Sequence, residues 1–164
     1  GKINRQKLLG ISGRGRKDQM RLAEEFGIKD YPAPAGGCLL TDPMFARRLR
    51  DLMNRGEDRK TRDYELLRCG RHFRTEGGVK IIVGRNNADN EALLRLSVDD
   101  DLVFNMACHP GPRVIVPYGD ESAKAFAASL CVRYSDAPND SEEDVICIHK
   151  GQASTIRSRA ASSS

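Results

Sequence analysis

The sequence predicts an α+β fold, with a small N-terminal helical module followed by a mainly antiparallel sheet with helices. Three observations predict it. Apolar residues recur at helical spacing before residue 70, while short β-branched runs separated by Gly and Pro turns dominate after it. The later segments alternate as strand, strand, helix, strand, strand, helix, strand, an order that suits hairpins more than parallel crossovers. At 164 residues and 39% hydrophobic content, the chain can bury a core for one ordinary domain or two small ones.

Lys17 to Phe26 reads as the first helix, with Met20, Leu22, Ala23 and Phe26 as its apolar positions. Ser12-Gly13-Arg14-Gly15-Arg16-Lys17 precedes it. Exposed amides at a helix start beside Arg make a phosphate cradle, though Gly-Arg loops are also common flexible turns. Tyr31-Pro32-Ala33-Pro34-Ala35-Gly36-Gly37-Cys38 then breaks the helical pattern. Thr41 or Asp42 caps a second helix with Pro43 at its first position. Phe45, Leu49 and Leu52 form its buried stripe, and Arg47, Arg48 and Arg50 fall largely off that stripe. Asn54 to Arg62 is a charged connector, and Asp63 to Cys69 a third short helix.

His72–Arg74 and Val79–Val83 read as strands around Gly77-Gly78. Gly84-Arg85-Asn86-Asn87 ends the second strand, and Asp89–Leu96 is helical. Leu102–Ala107 and Val114–Val116 are strands near the turn Pro110-Gly111-Pro112. Glu121–Arg133 is a helix with Ala125, Ala128 or Ser129, and Val132 on one side, and Val145–His149 is a final strand. The Ser-, Ala- and Arg-rich tail after Gly151 is expected to be disordered. This divides the chain into a basic helical module (1–70), an α+β domain (71–150) and a tail (151–164).

Charge is unevenly placed. Residues 1–85 carry 20 Lys and Arg against 11 Asp and Glu, whereas residues 86–164 carry 7 against 12. A basic front faces polyanions more readily than a mixed surface does. Fourteen of the 20 cations are Arg, whose planar fork binds phosphate in bidentate fashion and stacks on bases. The nine aromatic residues show no interleaved stacking pattern.

Several function classes find no motif. There is no Walker loop, no Ser-Gly-Gly-x-Asp-Ser loop and no Gly-x-Ser-x-Gly elbow, and no paired carboxylates stand out as a catalytic pair. Cys38, Cys69, Cys108, Cys131 and Cys147 form no Cys-x-x-Cys pair, and no zinc signature emerges with His72, His109 and His149. No metal site is expected. No apolar run is long enough for a membrane span, so the expectation is a soluble cytoplasmic protein without membrane contact. Because the chain begins with Gly1, it is expected to be part of a longer protein.

Three short segments remain as candidate sites. Cys38 beside two glycines is open to close approach, so its thiolate suits a nucleophile or sulfur carrier; a structural thiol beside Leu39 and Leu40 is the alternative. Arg85, Asn86, Asn87 and Asn90 follow a β-branched strand, where amides and Arg suit phosphate, ribose or unpaired bases; a plain Asn turn is the alternative. His109 and Arg113 flank Pro110-Gly111-Pro112 and suit RNA contact, or merely a tight polar turn.

Lys80–Leu94 (Lys-Ile-Ile-Val-Gly-Arg-Asn-Asn-Ala-Asp-Asn-Glu-Ala-Leu-Leu), the turn His109–Val114 and the helix and strand beyond it resemble the NFACT-R RNA-binding domain, which also occurs in Rqc-type ribosome quality-control proteins. The resemblance covers residues 71–150 and departs at Arg113, where the pattern has a Ser-His pair after the glycine. Ile11–Lys17 with Tyr31–Pro43 is similar to the segment after the ATP-pyrophosphatase domain of ThiI/MnmA-like tRNA thiolation proteins, often labelled 5-methylaminomethyl-2-thiouridylate methyltransferases. That resemblance implies ATP-dependent activation of a tRNA uridine and sulfur insertion by an upstream catalytic domain. ATP would belong to that domain, and no cofactor is expected in this chain.

The combined expectation is the tRNA-binding C-terminal region of a 2-thiouridylase-like protein, with tRNA and the upstream domain as partners. Arg14, Arg16, Lys17, Arg47, Arg48 and Arg50 would hold phosphates, and Arg85, Asn86 and Asn87 would touch sugars or unpaired bases. The rival expectation is a protein-interaction module that docks on a catalytic domain or a ribonucleoprotein.

Overall fold

The fold is drawn from a computed structural model that describes residues 10, 16–29, 38–55, 60–138 and 140–162. Two compact units divide the chain, Gly1–Cys38 and Leu39–Ser164.

In the first unit, α1 spans Lys17–Glu25. Gly27 ends it in the left-handed region at φ 66°, and the Ile28 amide donates back to Ala23 O at 2.7 Å. That six-to-one closure needs a residue without a Cβ penalty just past the helix. Met20 and Phe26 on this helix are exposed.

The second unit holds the rest of the α+β fold. Helix α2 spans Pro43–Asn54, and the Asp42 carboxylate caps it by accepting from the amides of Met44 at 2.8 Å and Phe45 at 3.3 Å. Helix α3 spans Thr61–Leu66. Strands β1 (Arg71–Arg74) and β2 (Lys80–Val83) form a hairpin, and α4 (Asn87–Leu96) follows. Next come β3 (Leu102–Met106), β4 (Val114–Val116), α5 (Lys124–Arg133), β5 (Glu142–His149) and β6 (Gln152–Arg159). All neighbours in the six-stranded sheet are antiparallel, in the order β1-β2-β4-β3-β5-β6.

Both faces of the central strands are covered, which explains their continuous β-branched runs. One face presents Ile81, Val83, Phe104, Val114 and Val145 to Ala127, Leu130 and Cys131 of α5. The other presents Ile82, Val103 and Ile115 to Leu66 of α3, to Cys69 after it and to Leu93 of α4. A polar lock fixes α3: Tyr118 Oη donates to Asp63 at 2.6 Å, and Arg62 pairs with the buried Asp101. Asp101 also accepts from the amides of Val98 and Tyr118.

Two expectations change. The tail after Gly151 is ordered through residue 162: β6 pairs with β5 over eight residues, from Glu142↔Arg159 to His149↔Gln152. A two-residue turn at Lys150 (φ 50°) and Gly151 (φ 73°) makes this hairpin, because positive φ at both positions matches the strand twist. By contacts the chain divides at Cys38–Leu39, within the expected helical module. Helix α2 is tied to the end of α3, for Arg48 donates to Leu67 O at 3.0 Å and Gly70 O at 3.1 Å, and to β1, for Arg74 donates to Asp51 at 2.6 and 3.1 Å. On α5 the buried residues are Ala127, Ala128, Leu130, Cys131 and Val132, while Ala125 is exposed.

Candidate nucleic-acid interface

The segment Gly84–Asn90 is built around its polar side chains. Asn86 adopts an extended backbone and caps α4, its Oδ1 accepting from the Asp89 amide at 2.9 Å. Asp89 is buried and receives the Arg85 guanidinium at 2.6 and 3.2 Å and the Arg85 amide at 3.1 Å. The Arg85 hydrogen bond holds the Asp89 carboxyl below its ordinary pKa, against burial, and raises that of Arg85. Arg85 remains exposed while paired to Asp89. Asn90 faces inward, its Oδ1 accepting from the Arg113 amide at 2.9 Å. A Cβ on Gly84 would fall 2.0 Å from that oxygen, so only glycine lets the strand end pass it.

Asn87 and Arg85 form one wall of a cavity of about 250 Å³, and Pro110-Gly111-Pro112 and Tyr134 form the other. The second wall is held in place. The Asp136 amide donates to Pro110 O at 2.9 Å, and a Cβ on Gly111 would meet Met106 Cγ at 2.6 Å. Arg71 closes the end, its guanidinium carbon 4.7 Å from the Tyr134 ring centroid. Arg133 lies over the same ring at 5.9 Å, and Phe73 packs beside it with centroids 6.0 Å apart.

Arg71 also borders a second cavity of about 440 Å³, between α2 and β1. Arg47, Arg48, Arg74 and Lys80 supply its cations. Asp51 is the counter-charge: its carboxylate takes Arg74 Nη2 at 2.6 Å, and although burial raises its pKa, this bond and the charges of Arg74, Arg55 and Lys80 together hold it below the ordinary value. Burial first, then the charge of Arg74, pushes the Lys80 ammonium down to about 8. Burial and the charges of Lys80 and Arg48 push His72 down to about 3, so its ring is neutral near pH 7, and its Nε2 lies 2.8 Å from Cys69 O. A neutral, inward His72 supports β1 and leaves the charge to its neighbours.

The residues singled out from the sequence thus separate. Arg85, Asn86 and Asn87 meet at one cavity, and Asn90 braces it from within. Arg47 is exposed at the second cavity, whereas Arg48 is spent on main-chain carbonyls at the end of α3. Arg50 is exposed on α2 away from both. His109 pairs with Glu143 at 3.3 Å, and the Arg113 main chain, bonded to Asn90 and Gly84, is what the fold uses. Arg16 and Lys17 begin α1 in the other unit, while Arg14 and the glycines around it lie outside the described residues. Cys38 is exposed. Arg71, Arg74, Lys80 and Tyr134 were not singled out: two Arg within Arg71-His72-Phe73-Arg74 were the available signal, and they read simply as strand.

Residues 70–163 match the family model of the NFACT protein RNA binding domain. The chain belongs to this family. The match takes in β6, which the sequence resemblance had left out, and it places both cavities within or against the RNA binding domain. Among solved structures, this domain resembles the C-terminal part of the fibronectin/fibrinogen-binding protein from Streptococcus suis, with a TM-score of 0.50 and 19% identity. The likeness covers 69% of this chain and 55% of that chain, and at this identity it shows the fold. No curated protein matches the sequence. Among the described residues no helix is long and apolar enough to cross a membrane, and no group of three His, Cys, Asp or Glu stands ready for a metal.

Proposed function

We propose that this RNA binding domain serves as a tRNA-binding module of a longer tRNA-modifying protein, holding an unpaired segment along β1. The observation that carries this reading is the position of Arg71. It borders both cavities, so a cationic track runs from Arg47 on α2, past Arg71, to Arg85 at the start of α4. Such a track grips phosphates, while the cavity beside Tyr134 gives an unstacked base an aromatic and guanidinium surface. Loops of tRNA offer unpaired bases of this kind. The family match bears on RNA binding; sulfur insertion by an upstream ATP-using domain, with Cys38 as carrier, rests only on the resemblance of residues 11–17 and 31–43.

Binding to unmodified tRNA across a salt series tests the reading, with double-stranded DNA and heparin as competitors. Affinity that falls steeply with salt and survives the competitors is expected. The double variant Arg47→Gln, Arg71→Gln should weaken binding and flatten the log–log slope by about 1.4 to 1.8, since each phosphate left without its cation removes about 0.7 to 0.9. Absent or indiscriminate binding would shift the reading to a protein-interaction module, with the parent protein's catalytic domain as the next partner to try.

A further inference from the structure

We infer that the cavity between Arg71 and Asp136 is a base pocket selective for an unpaired guanine. This rests on the RNA-binding reading above and adds the identity of one base. Three features lead to it. The first is size: the open cleft of about 250 Å³ is on the scale of one nucleobase. The second is the layered surface. Tyr134 stacks under the Arg71 guanidinium at 4.7 Å, and the outer face of a guanidinium held this way is a platform for a base.

The third feature is the carboxylate. Asp136 lines the same cavity, exposed, and its side chain meets no cation within ion-pair distance among the described residues. Its main chain is fixed by the bond to Pro110 O, so the side chain is aimed from a settled backbone. A carboxylate only accepts hydrogen bonds. Of the four RNA bases, guanine alone presents two parallel donors on one edge, N1–H and the 2-amino group, matching two carboxylate oxygens. Adenine and cytosine offer one amino donor beside an acceptor nitrogen that the carboxylate repels, and uracil offers one imino donor between two carbonyls. Asn87 at the opposite wall has an amide that can donate to a base or ribose oxygen, a neutral contact that adds no second preference.

The test uses the whole chain and labelled nine-nucleotide oligouridylates carrying a single central guanosine, inosine, adenosine or cytidine, read by fluorescence anisotropy. Inosine lacks only the 2-amino group. The guanosine oligomer is expected to bind about tenfold more tightly than the inosine oligomer, the discrimination typical of one missing bidentate partner. In Asp136→Asn the guanosine-to-inosine ratio should fall towards one. Competition by free guanosine monophosphate separates a nucleotide pocket from a strand pocket: displacement only at a large excess over the oligomer is the expected result. Equal affinity for the guanosine and inosine oligomers, or a preference that survives in Asp136→Asn, overturns the guanine assignment and leaves RNA binding standing. Failure to bind any oligomer or tRNA overturns both.

Discussion

The side-chain oxygen of Asn90 accepts the main-chain N–H of Arg113 at 2.9 Å, joining α4 to the approach of β4 across 23 positions of sequence. Gly84 N donates to Arg113 O at 2.9 Å from the other side, so one short segment is held twice. Asn90 thereby shapes the cavity that it also lines. Asn90→Ala leaves a part-buried amide unpaired and is expected to cost about 1 to 3 kcal/mol in urea unfolding. Gly84→Ala drives a Cβ against the same oxygen and should destabilise comparably. If Asn90→Ala keeps full stability and loses RNA binding, Asn90 contacts RNA directly.

His72 makes stability depend on pH. Its folded pKa of about 3 lies below the ordinary value of 6.5, so the fold favours the neutral ring. Its stabilising contribution is fully present above about 6.5 and is lost as the pH falls towards 3, because the unfolded chain takes up the proton first. Unfolding free energy should therefore fall between about pH 7 and pH 5, before the carboxylates titrate. His72→Gln should flatten that slope. A wild-type curve already flat across this interval would contradict the buried neutral ring.

Lys80 sets stability against binding. Its ammonium is desolvated between two Arg-bearing cavities, with no acceptor within hydrogen-bond distance among the described residues. Lys80→Met keeps the stem and removes the charge. We expect it to raise the urea midpoint near pH 7, by up to about 1 kcal/mol, while lowering RNA affinity. Loss of stability would mean that the ammonium is a structural partner.

The strand β6 can be removed cleanly to ask whether it is part of the fold. Ile156, Ala160 and Ala161 pack against the main core, and Arg133 donates to Ala161 O at 2.6 Å. Ending the chain at His149 should lower the unfolding free energy by several kcal/mol and expose β5 to edge pairing, seen as aggregation. A truncated chain as stable as the parent would restore the disordered-tail expectation.

Thiol labelling separates the cysteines. Burial pushes Cys131 up to about 12 and raises Cys69 and Cys147, so these three should resist alkylation in the native state. Cys38 and Cys108 are exposed and should react first. Mass spectrometry of a time course gives the two rates. A Cys38 rate well above that of Cys108 is required for a catalytic or carrier role; equal rates count against one.

Local signals determined much of this protein. Asp42-Pro43 was readable as a helix start because capping is a contact between near neighbours. The β-branched runs at Ile81–Val83 and Val114–Val116 were readable as strands because burial on both faces demands uninterrupted apolar residues. The Gly-Arg-Asn-Asn segment stood out as a candidate for the same reason, its chemistry being compressed into a few adjacent residues. Tertiary structure alone decided the rest. Strand β6, Gln-Ala-Ser-Thr-Ile-Arg-Ser-Arg, is almost wholly polar, and it is a strand through main-chain pairing with β5 that composition does not encode. Arg48 and Arg47 are one position apart, yet one is consumed by carbonyls of Leu67 and Gly70 and the other is exposed. Arg71 and Tyr134 stand 63 positions apart, and only the closing of the sheet onto α5 lays one on the other. Pairings made across that distance depend on how whole elements pack, and no spacing in the chain announces them.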